Sequence, residues 1–296
     1  MANSIDLATT FLRLVDAIYK RASVTVELDA VTQDVPFIGA DTVKVMKLGT
    51  VGLGNYSRTN GYPKGDITAT WEALKLTIER GREFVLDKMD NEESLGLVLG
   101  NVIDQWMTEH VAPEIDATRF AKYASTPGVL TTAGATLDKD TILPAIDAAS
   151  LAMDEAEVPT TGRMLFISST CERFLRAAIS RQLANENTAD RRLTNIDELT
   201  IRSVPQGRFF TKIKLDAGGT SNAGGFTKDA AGGAKDINFM IVHRSAILQP
   251  VKLNQVKYFS PEINQTSDGH KWQYRLYHDA FVYDNKQKGV YVHTKA

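Results

Sequence analysis

Four acidic side chains and a serine lie within ten residues, DKMDNEESLG, from Asp87 to Gly96. Clustered carboxylates of this kind could bind a divalent metal ion or transfer protons in acid/base chemistry. The spacing does not fit a calcium loop, in which oxygen ligands recur at every second position around a glycine. A helix start explains the cluster better, because Asp90 or Asn91 can cap a helix whose first turn stabilises carboxylates.

The other residues that could do chemistry are isolated from one another. Cys171 is the single cysteine, which excludes an intramolecular disulfide and favours a reducing compartment. It could act as a nucleophile, but at the start of a predicted helix we expect it to pack. His110 lies between Glu109 and Glu114 without the HExxH order of a zinc site, so we expect a solvated or salt-bridged side chain. Four further histidines lack ligand spacing and are interpreted as core or interface residues: His243, His270, His278 and His293.

Motifs of known enzyme classes are missing from the sequence. It contains no GxSxG elbow, no CxxC pair and no dinucleotide-binding fingerprint. The glycines Gly49, Gly52 and Gly54 resemble a phosphate loop only weakly, and a bent strand explains them equally well. A site assembled from distant residues is still open, but the balance favours a structural role without a metal or a cofactor.

Composition and charge narrow the class of protein further. The chain has 296 residues, of which 43% are hydrophobic and 24% charged, as is typical of one or two folded domains. Its 34 basic and 36 acidic residues give a net charge of -2, so no general attraction to nucleic-acid phosphates is expected. No apolar run reaches the ~18 residues of a membrane span, and the N-terminus lacks the apolar segment of a signal peptide.

The N-terminal residues predict a helical arm. Ser4 can cap a helix, and Ile5, Phe11 or Leu12, and Val15 recur at the three- and four-residue spacing of one apolar stripe. The short extended segments that follow offer this stripe no partner nearby in the sequence. We therefore expect an arm that packs on another part of the assembly.

A long hairpin is predicted next. TVKVMKL and TWEALKLTI are rich in strand-forming residues, and Asn60-Gly61 with the nearby Lys64 forms the polar tip between them. A hairpin of about forty residues with thin apolar faces is poorly stable alone. It should lie on another surface, such as a second subunit.

A long helix follows from Asp90. Trp106 belongs to an apolar set at helical spacing, and Pro113 predicts a kink or a restart of the helix, because proline removes one backbone hydrogen bond. A second helix then contains Pro144, and the strand RMLFIS precedes a third helix for which Ser169 and Glu172 suggest a capping box.

The remaining residues predict one loop and several strands. The glycine-rich segment Asp216–Asp236 shows no periodicity and is interpreted as a mobile surface loop. Four strands are predicted after it, INFMIVH, VKLNQVKYF, KWQYRLYHDAFVY and GVYVHTK, with Asp284-Asn285 and Gly289 turning a final hairpin. The mixture of helices and strands indicates an α+β fold.

Three sequence blocks resemble a known family. GREFVLDKMDNEESLGLVLGNVIDQWMTEHVAPEIDATRFAKYA resembles the junction of strand and long helix in major capsid proteins of tailed double-stranded DNA bacteriophages. HRSAILQPVKLNQVKYFSPE and YRLYHDAFVYDNKQKGVYVH resemble the C-terminal strands of those proteins. The resemblance implies the Hong Kong ninety-seven type capsid fold. Its parts would be an N-terminal arm at 1–40, an extended E-loop at 41–88, a peripheral domain at 89–134 and 246–296 with the long spine helix, and an axial domain at 135–245.

The resemblance also implies a function and partners. Such a chain would assemble with itself as pentamers and hexamers into an icosahedral shell, in the host bacterial cytoplasm, and would become the virion capsid. Portal and scaffolding proteins are the expected partners, decoration proteins are optional ones, and the enclosed double-stranded DNA would be bound without sequence specificity. No membrane, cofactor or catalytic residue is implied.

Some family members join subunits by an isopeptide bond between lysine and asparagine. Lys64 is the candidate lysine here, and Asn264 or Asn285 could be the acceptor. Lys64 lies beside Asp66 among solvated residues, which keeps its amine charged and a poor nucleophile. Cross-linking is therefore not expected.

Two other functions stay open at this point. A nanocompartment shell of the encapsulin type would share the fold but would enclose a cargo enzyme instead of a genome. An α+β enzyme would require His110, Cys171 and the acids near Asp90 to converge in one pocket.

Overall fold

A computed structural model describes residues 23–31, 37–38, 41–59, 61–93, 103–132, 134–179, 195–219 and 223–296. The predicted N-terminal helix, with Ile5, Phe11, Leu12 and Val15, lies outside these residues, as does Asn60 of the hairpin tip. Residues 94–102 of the predicted long helix also lie outside the described residues.

The described residues form sixteen strands and four α-helices. The strands are β1 (Phe37–Ile38), β2 (Thr42–Gly49), β3 (Thr68–Lys75), β4 (Ile78–Asp87), β5 (Leu130–Thr132), β6 (Arg163–Ser168), β7 (Asn195–Ile196), β8 (Leu199–Val204), β9 (Ile213–Asp216), β10 (Gly225–Lys228), β11 (Ile237–His243), β12 (Ile247–Leu248), β13 (Val251–Phe259), β14 (Gly269–His278), β15 (Phe281–Val282) and β16 (Val290–Thr294). The helices are α1 (Lys88–Glu93), α2 (Ala112–Ser125), α3 (Ile142–Glu155) and α4 (Ser169–Ile179).

A six-stranded sheet in the order β5-β16-β11-β6-β8-β7 forms the centre of the molecule. Its inner strands β6 and β11 are buried on both faces, which explains why their sequences are continuous apolar runs. Leu165 and Ile167 of β6 pack with α3 and α4 in one core. Met164 and Phe166, on the other face of the strand, pack with Phe120 of α2 in a second core. The sheet is therefore covered by helices on both sides.

A three-stranded antiparallel sheet in the order β13-β14-β4 forms a second layer. One face of β14 and the segment after it is buried: Trp272, Tyr274, Leu276, His278, Ala280 and Val282. Trp106 packs edge-on against both Phe84 and Tyr274, with ring centroids 5.2 Å apart in each case. The helical segment that ends in α2 thus connects this sheet to the central one.

Pro113 lies where the helical segment changes its hydrogen bonding. A π-helical turn, Met107–Val111, ends as the amide of Ala112 donates to the carbonyl of Met107. Helix α2 then begins with Pro113 in its first turn, where the missing proline N–H is not needed. The sequence predicted a kink or a restart with proline in the first turn: Pro113 does lie in the first turn of α2, and the backbone stays helical through Val111 and Ala112.

Asp116 of α2 is a buried hydrogen-bonding centre. Its carboxylate accepts from the Ser23 hydroxyl at 2.6 Å, the Val24 amide at 3.1 Å and the Thr25 amide and hydroxyl at 3.2 and 2.7 Å. The Arg208 guanidinium donates to it as well, at 2.9 Å. One carboxylate therefore joins the segment that begins at residue 23, α2, and the chain just after β8.

Two predicted helix caps are wrong by a few residues. Helix α1 begins at Lys88, and the side chain of Asp87 accepts from the Met89 amide at 2.9 Å, so Asp87 is the cap and Asp90 lies in the first turn. In α4 the Ser168 hydroxyl accepts from the Cys171 amide at 3.3 Å, in place of a capping box at Ser169. In both cases the last residue of the preceding strand supplies the cap, because strand and helix follow without a linker.

The sequence predicted a surface loop over the whole glycine-rich segment Asp216–Asp236. This prediction is wrong in part, because the segment contains strand β10. Strand β10 pairs with β9 in an antiparallel hairpin, with Gly225 opposite Asp216 and Lys228 opposite Ile213. Gly224 and Gly225 have positive φ values of 80° and 97°, which glycine adopts without strain at the entry to a strand. The glycines hide the strand from a search for periodicity, because they carry no side chains that alternate.

Several strands pair across the predicted domain boundaries, and the division into domains stays a prediction. Strand β16, within the predicted peripheral residues 246–296, pairs with β11 in the central sheet. It does not form a final hairpin either, because β15 pairs with β12. Strand β4, which was predicted as part of the E-loop at 41–88, pairs with β14 over its whole length. These partners are distant in sequence and are selected by packing.

Substitution of Asp116 tests the importance of the buried carboxylate. Asp116→Asn keeps the shape of the side chain but removes the negative charge beside the buried Arg208 and presents N–H groups to other donors. Breaking a buried ion pair in this way costs about 3–5 kcal/mol of unfolding free energy. Denaturant unfolding followed by circular dichroism measures the loss.

Asp147→Asn is the matched control, because Asp147 is exposed on α3. We expect its unfolding free energy to stay within about 0.5 kcal/mol of the original protein. Equal stabilities of the Asp116 and Asp147 variants would contradict the role of the buried carboxylate.

Candidate assembly surface

The predicted hairpin is confirmed between β2 and β3, which pair from Thr42 opposite Lys75 to Gly49 opposite Thr68. Val43 and Leu74 are buried at its root, in one cluster with Leu76 and Leu248. This small core holds the hairpin on the rest of the molecule. The role of residues 41–88 as an E-loop stays a prediction.

The outer face of the hairpin exposes apolar side chains. Met46, Leu48 and Trp71 are 49%, 58% and 63% exposed. Met46 and Trp71 lie directly opposite each other, and Leu48 lies opposite Ala69, so these four residues form one continuous face. We call it the hairpin face. A contiguous apolar surface of this kind marks a contact site in a folded protein.

The residues beyond the paired strands continue this apolar character. Five large side chains between the strands are exposed: Val51, Leu53, Tyr56, Tyr62 and Ile67. Ser57 and Gly61 close a tight turn with two backbone hydrogen bonds of 3.0 and 2.7 Å, and Gly61 has a φ of 76°. Lys64 is exposed in this region, so both described residues of the predicted tip lie in the connection between the strands.

An ionic contact connects the hairpin to the C-terminal region. The Lys47 amine contacts the Asp284 carboxylate and lies 3.3 Å from the Glu72 carboxylate. The contact with Asp284 is the main cause that raises the pKa of Lys47, and Lys47 in turn lowers the pKa of Asp284. Lys47 thus connects both strands of the hairpin to the 3-10 segment Asp284–Gly289.

A second buried carboxylate holds the point where the chain leaves the hairpin. Asp279 accepts from the amide and hydroxyl of Thr77 at 2.9 and 2.8 Å, and Thr77 lies between β3 and β4. It also accepts from the Ala280 amide at 2.8 Å and pairs with the Lys122 amine of α2 at 3.0 Å. The exit from the hairpin is therefore connected directly to α2.

His278 lies beside this carboxylate and is buried. Burial, followed by the positive charge of Arg119, lowers the pKa of His278 to about 4, while Asp279 opposes the shift and Lys122 adds to it. The imidazole is therefore neutral at physiological pH.

The residues that an enzyme would require do not converge. His110 is exposed, with Nε2 3.8 Å from the Glu109 carboxylate, as expected of a solvated or salt-bridged side chain. Cys171 is buried against the central sheet, and burial raises the pKa of its thiol. The cavity that His110 lines includes neither Cys171 nor Asp90.

The described residues contain neither a metal-binding group nor a membrane-spanning helix. No group of three or more His, Cys, Asp and Glu side chains in these ranges is arranged to hold a metal ion. Over the same ranges, every helix is too short or too polar to traverse a bilayer.

The two asparagines named as cross-link acceptors differ in their surroundings. Both atoms of the Asn264 amide are engaged inside one loop: Oδ1 accepts from the Thr266 amide and hydroxyl, and Nδ2 donates to the Ser267 hydroxyl and the Gly269 carbonyl. Asn285 is exposed in the segment that Lys47 contacts. The engaged amide of Asn264 favours a structural role over one as an acceptor.

Sequence reasoning missed Lys47, Asp116 and Asp279. A signal for two of them existed: Asp116 falls inside a largely buried helix, and Asp279 lies between buried residues of the β14 segment. A charge at an apolar position indicates a paired buried group. Their partners, Ser23, Arg208 and Thr77, could not be read from local patterns.

Comparison with known proteins identifies the fold. No protein-family model and no curated protein matches the sequence. The structure is similar to the capsid of cyanophage P-SCSP1u (TM-score 0.68, 12% identity, covering 97% of this chain and 92% of that one). It is also similar to the mature capsid of bacteriophage PhiM1 (TM-score 0.65, 13% identity, covering 97% of this chain and 91% of that one). A third similar structure is the capsid of Myoviridae phage XM1 (TM-score 0.61, 14% identity, covering 100% of both chains). The predicted α+β phage capsid fold is therefore confirmed over nearly the whole chain.

His278 generates a prediction about pH. Because its folded pKa of about 4 lies below the ordinary value of 6.5, the unfolded state takes up a proton in this window that the folded state does not. The free energy of unfolding should fall by about 3 kcal/mol from this group as the pH decreases from 6.5 to 4.

Urea unfolding at several pH values, with His278→Gln as the comparison, measures this effect. The variant should show a shallower decline over the same window. His243 and His293, whose pKa values burial also lowers, remain in the variant and account for the slope that persists. Parallel curves for the two proteins would contradict the assignment.

Lys47 generates a prediction about the hairpin root. In Lys47→Met, amide hydrogen exchange in β2 and β3 should become roughly threefold faster, because one of the contacts that hold the hairpin is lost. High salt should produce part of the same effect in the original protein.

Lys75→Met is the control on the partner strand, since Lys75 is more exposed and pairs with Asp41. It should change exchange less than Lys47→Met does. If the two variants behave alike, the contact with Asp284 does not hold the hairpin.

Proposed function

We propose that this chain is a major capsid protein of a tailed double-stranded DNA phage, which assembles as pentamers and hexamers into an icosahedral shell. The observation that carries the proposal is the hairpin face, which no described residue covers. The phage capsid fold supports it, but a fold alone does not determine function. The exposed apolar side chains of the hairpin face are the evidence that this chain itself adds.

The hairpin face has the chemistry of a subunit contact. Its three large apolar side chains are about half exposed in the single chain. Covering them fully would contribute roughly 3 kcal/mol, since complete burial of one such side chain contributes ~1.5–3 kcal/mol. A contact of this strength is weak alone and becomes strong when every subunit of a ring repeats it.

The shape of the hairpin favours a ring. The hairpin face differs from the surfaces on the body of the molecule, so a contact between them is heterologous, and identical heterologous contacts close into rings when the rotation permits. The root is fixed by the buried Val43 and Leu74 and by Lys47, so the hairpin face extends in a defined direction. A defined direction is what a closed ring requires.

The division proposed for the chain follows the resemblance, with changes from the strand pairing. Residues 1–40 are the arm, 41–77 the E-loop, and the central sheet with β16 the axial domain. The three-stranded sheet, helix α1 with Asp90, and the helical segment from Trp106 to Ser125 make up the peripheral domain. Scaffolding, portal and decoration proteins are proposed partners, and the net charge of -2 is consistent with a shell that does not bind the enclosed DNA tightly.

Electron microscopy of the purified chain, with and without a co-expressed scaffolding protein, tests the proposal. Rings of five or six subunits or closed shells are the expected result. Shells large enough for a phage genome would exclude a small nanocompartment. A monomer or dimer at high concentration under both conditions would overturn the proposal.

Met46→Glu tests the hairpin face itself. The charge should raise the concentration needed for assembly by at least about tenfold, because a contact of ~1.5 kcal/mol or more is lost in every subunit. Circular dichroism should show an unchanged fold, since Met46 is already exposed. Light scattering against protein concentration measures assembly.

Thr70→Glu is the matched control, because Thr70 is exposed on the opposite face of β3, across from Lys47. It adds the same charge to the same hairpin and should assemble at nearly the original concentration. Equal effects of the two substitutions would mean that charge on the hairpin matters and that the hairpin face does not.

A further inference from the structure

A cavity of about 380 Å³ lies between the three-stranded sheet, the helical segment around α2 and the β9–β10 hairpin. Phe84, Trp106 and Tyr274 form an aromatic wall, and Arg82 and His110 also line the space. It is large enough for a small organic group. The hairpin face and the residues of the proposed subunit contact do not line it.

Two residues that line this cavity carry hydrogen-bond donors with no acceptor among the described residues. Tyr274 is 5% exposed, and its buried hydroxyl makes no hydrogen bond with any described residue. Burial, followed by the negative charge of Glu114, raises the pKa of Tyr274 to about 12, so the hydroxyl keeps its proton and can donate it. Leaving such a buried group unpaired costs free energy, which a bound acceptor would recover.

Arg82 is the second donor. It lies directly opposite Tyr274 in the antiparallel pairing of β4 and β14, so the two side chains extend to the same face of the sheet. Its Nη1 lies so close to Gly218 and Gly224 that a Cβ there would be 3.0 and 3.4 Å away. Within the described ranges, no carboxylate pairs with this guanidinium.

The remaining charges of the cavity are already paired. Arg80 donates to both oxygens of Glu114, at 2.6 and 3.2 Å, and to the carbonyls of Asp216 and Gly225. Glu79 pairs with Arg275. One positive charge, that of Arg82, is therefore uncompensated among the described lining residues. A single negative charge matches it better than the double charge of a phosphate.

We propose that this cavity is a binding site for a carboxylate carried on an apolar or aromatic body. The carboxylate accepts from the Arg82 guanidinium and from the Tyr274 hydroxyl, and the body packs against Trp106 and Phe84. Charge-assisted hydrogen bonds to a partly buried guanidinium are the strong ones in proteins. The proposal concerns the single chain and does not depend on shell assembly.

Benzoate is the probe, because it combines one carboxylate with an aromatic ring. Isothermal titration calorimetry on unassembled chains should show saturable binding, and the melting temperature should rise with benzoate concentration. Benzamide has the same shape without the charge and should bind at least about tenfold more weakly, as should inorganic phosphate.

Two variants separate the donors. Tyr274→Phe removes one hydroxyl and should weaken benzoate binding about tenfold, while the empty protein melts at an equal or higher temperature because an unpaired buried group is gone. Arg82→Met should weaken benzoate binding more than tenfold, because the charged donor is lost. Arg173→Met removes an equal charge from the exposed surface of α4, outside the cavity, and should bind benzoate as the original protein does.

The source of the carboxylate is distinguished by repeating the titration on assembled shells. Lost binding in shells would indicate that an acidic side chain of a second copy fills the site, and retained binding would indicate a free small molecule. No binding of benzoate to unassembled chains, or equal binding by the Arg82 and Arg173 variants, would overturn the proposal and identify a water-filled cavity. Shell formation in electron microscopy would be unaffected by that result.

Discussion

The buried carboxylate of Asp116 is the interaction on which the rest of the structure depends. Five donors from two separate parts of the chain converge on its two oxygens. A buried ion pair contributes little net stability compared with an apolar core, because both charges lose their hydration. It restricts how these segments can be arranged, because a buried carboxylate must keep its hydrogen-bond donors. The carboxylate thereby determines where α2 lies relative to the central sheet.

Helix α2 repeats this principle along its length. Glu114 pairs with Arg80 of the three-stranded sheet, and Lys122 pairs with Asp279 at the exit from the hairpin. With Asp116, three charged residues on one helix connect three different parts of the molecule. Phe120 and Tyr123 of the same helix pack in the core under the central sheet. The helix therefore acts as the common support of both sheets and of the hairpin root.

The hairpin between β2 and β3 differs from α2, because it is packed only at its root and is exposed elsewhere. Its root is held by a small apolar cluster and one ionic contact, while most of its apolar surface faces outward. A single chain gains little from such an element. The arrangement becomes favourable when the apolar surface is covered by another molecule. In the proposed shell, the connection of the root to α2 would position one subunit relative to the next.

The sequence by itself determined those features that depend on short-range periodicity. The boundaries of β6 and β11 and the position of Pro113 in the first turn of α2 follow from residues within a few positions of one another. The hairpin between β2 and β3 belongs with them, because its strands are separated by a turn that the sequence reveals. The resemblance of three sequence blocks to phage capsid proteins then indicated the fold class.

The tertiary structure alone decided which distant segments meet. It placed β16 in the central sheet, paired the glycine-rich β10 with β9 and brought Asp279 to Thr77 from 202 positions away. It also showed that two helix caps are the last residues of the preceding strands, Asp87 and Ser168, and not the residues that the sequence predicted. Periodicity reports whether a residue is buried but not which residue covers it, because partner choice depends on packing and on the pairing of buried charges in three dimensions.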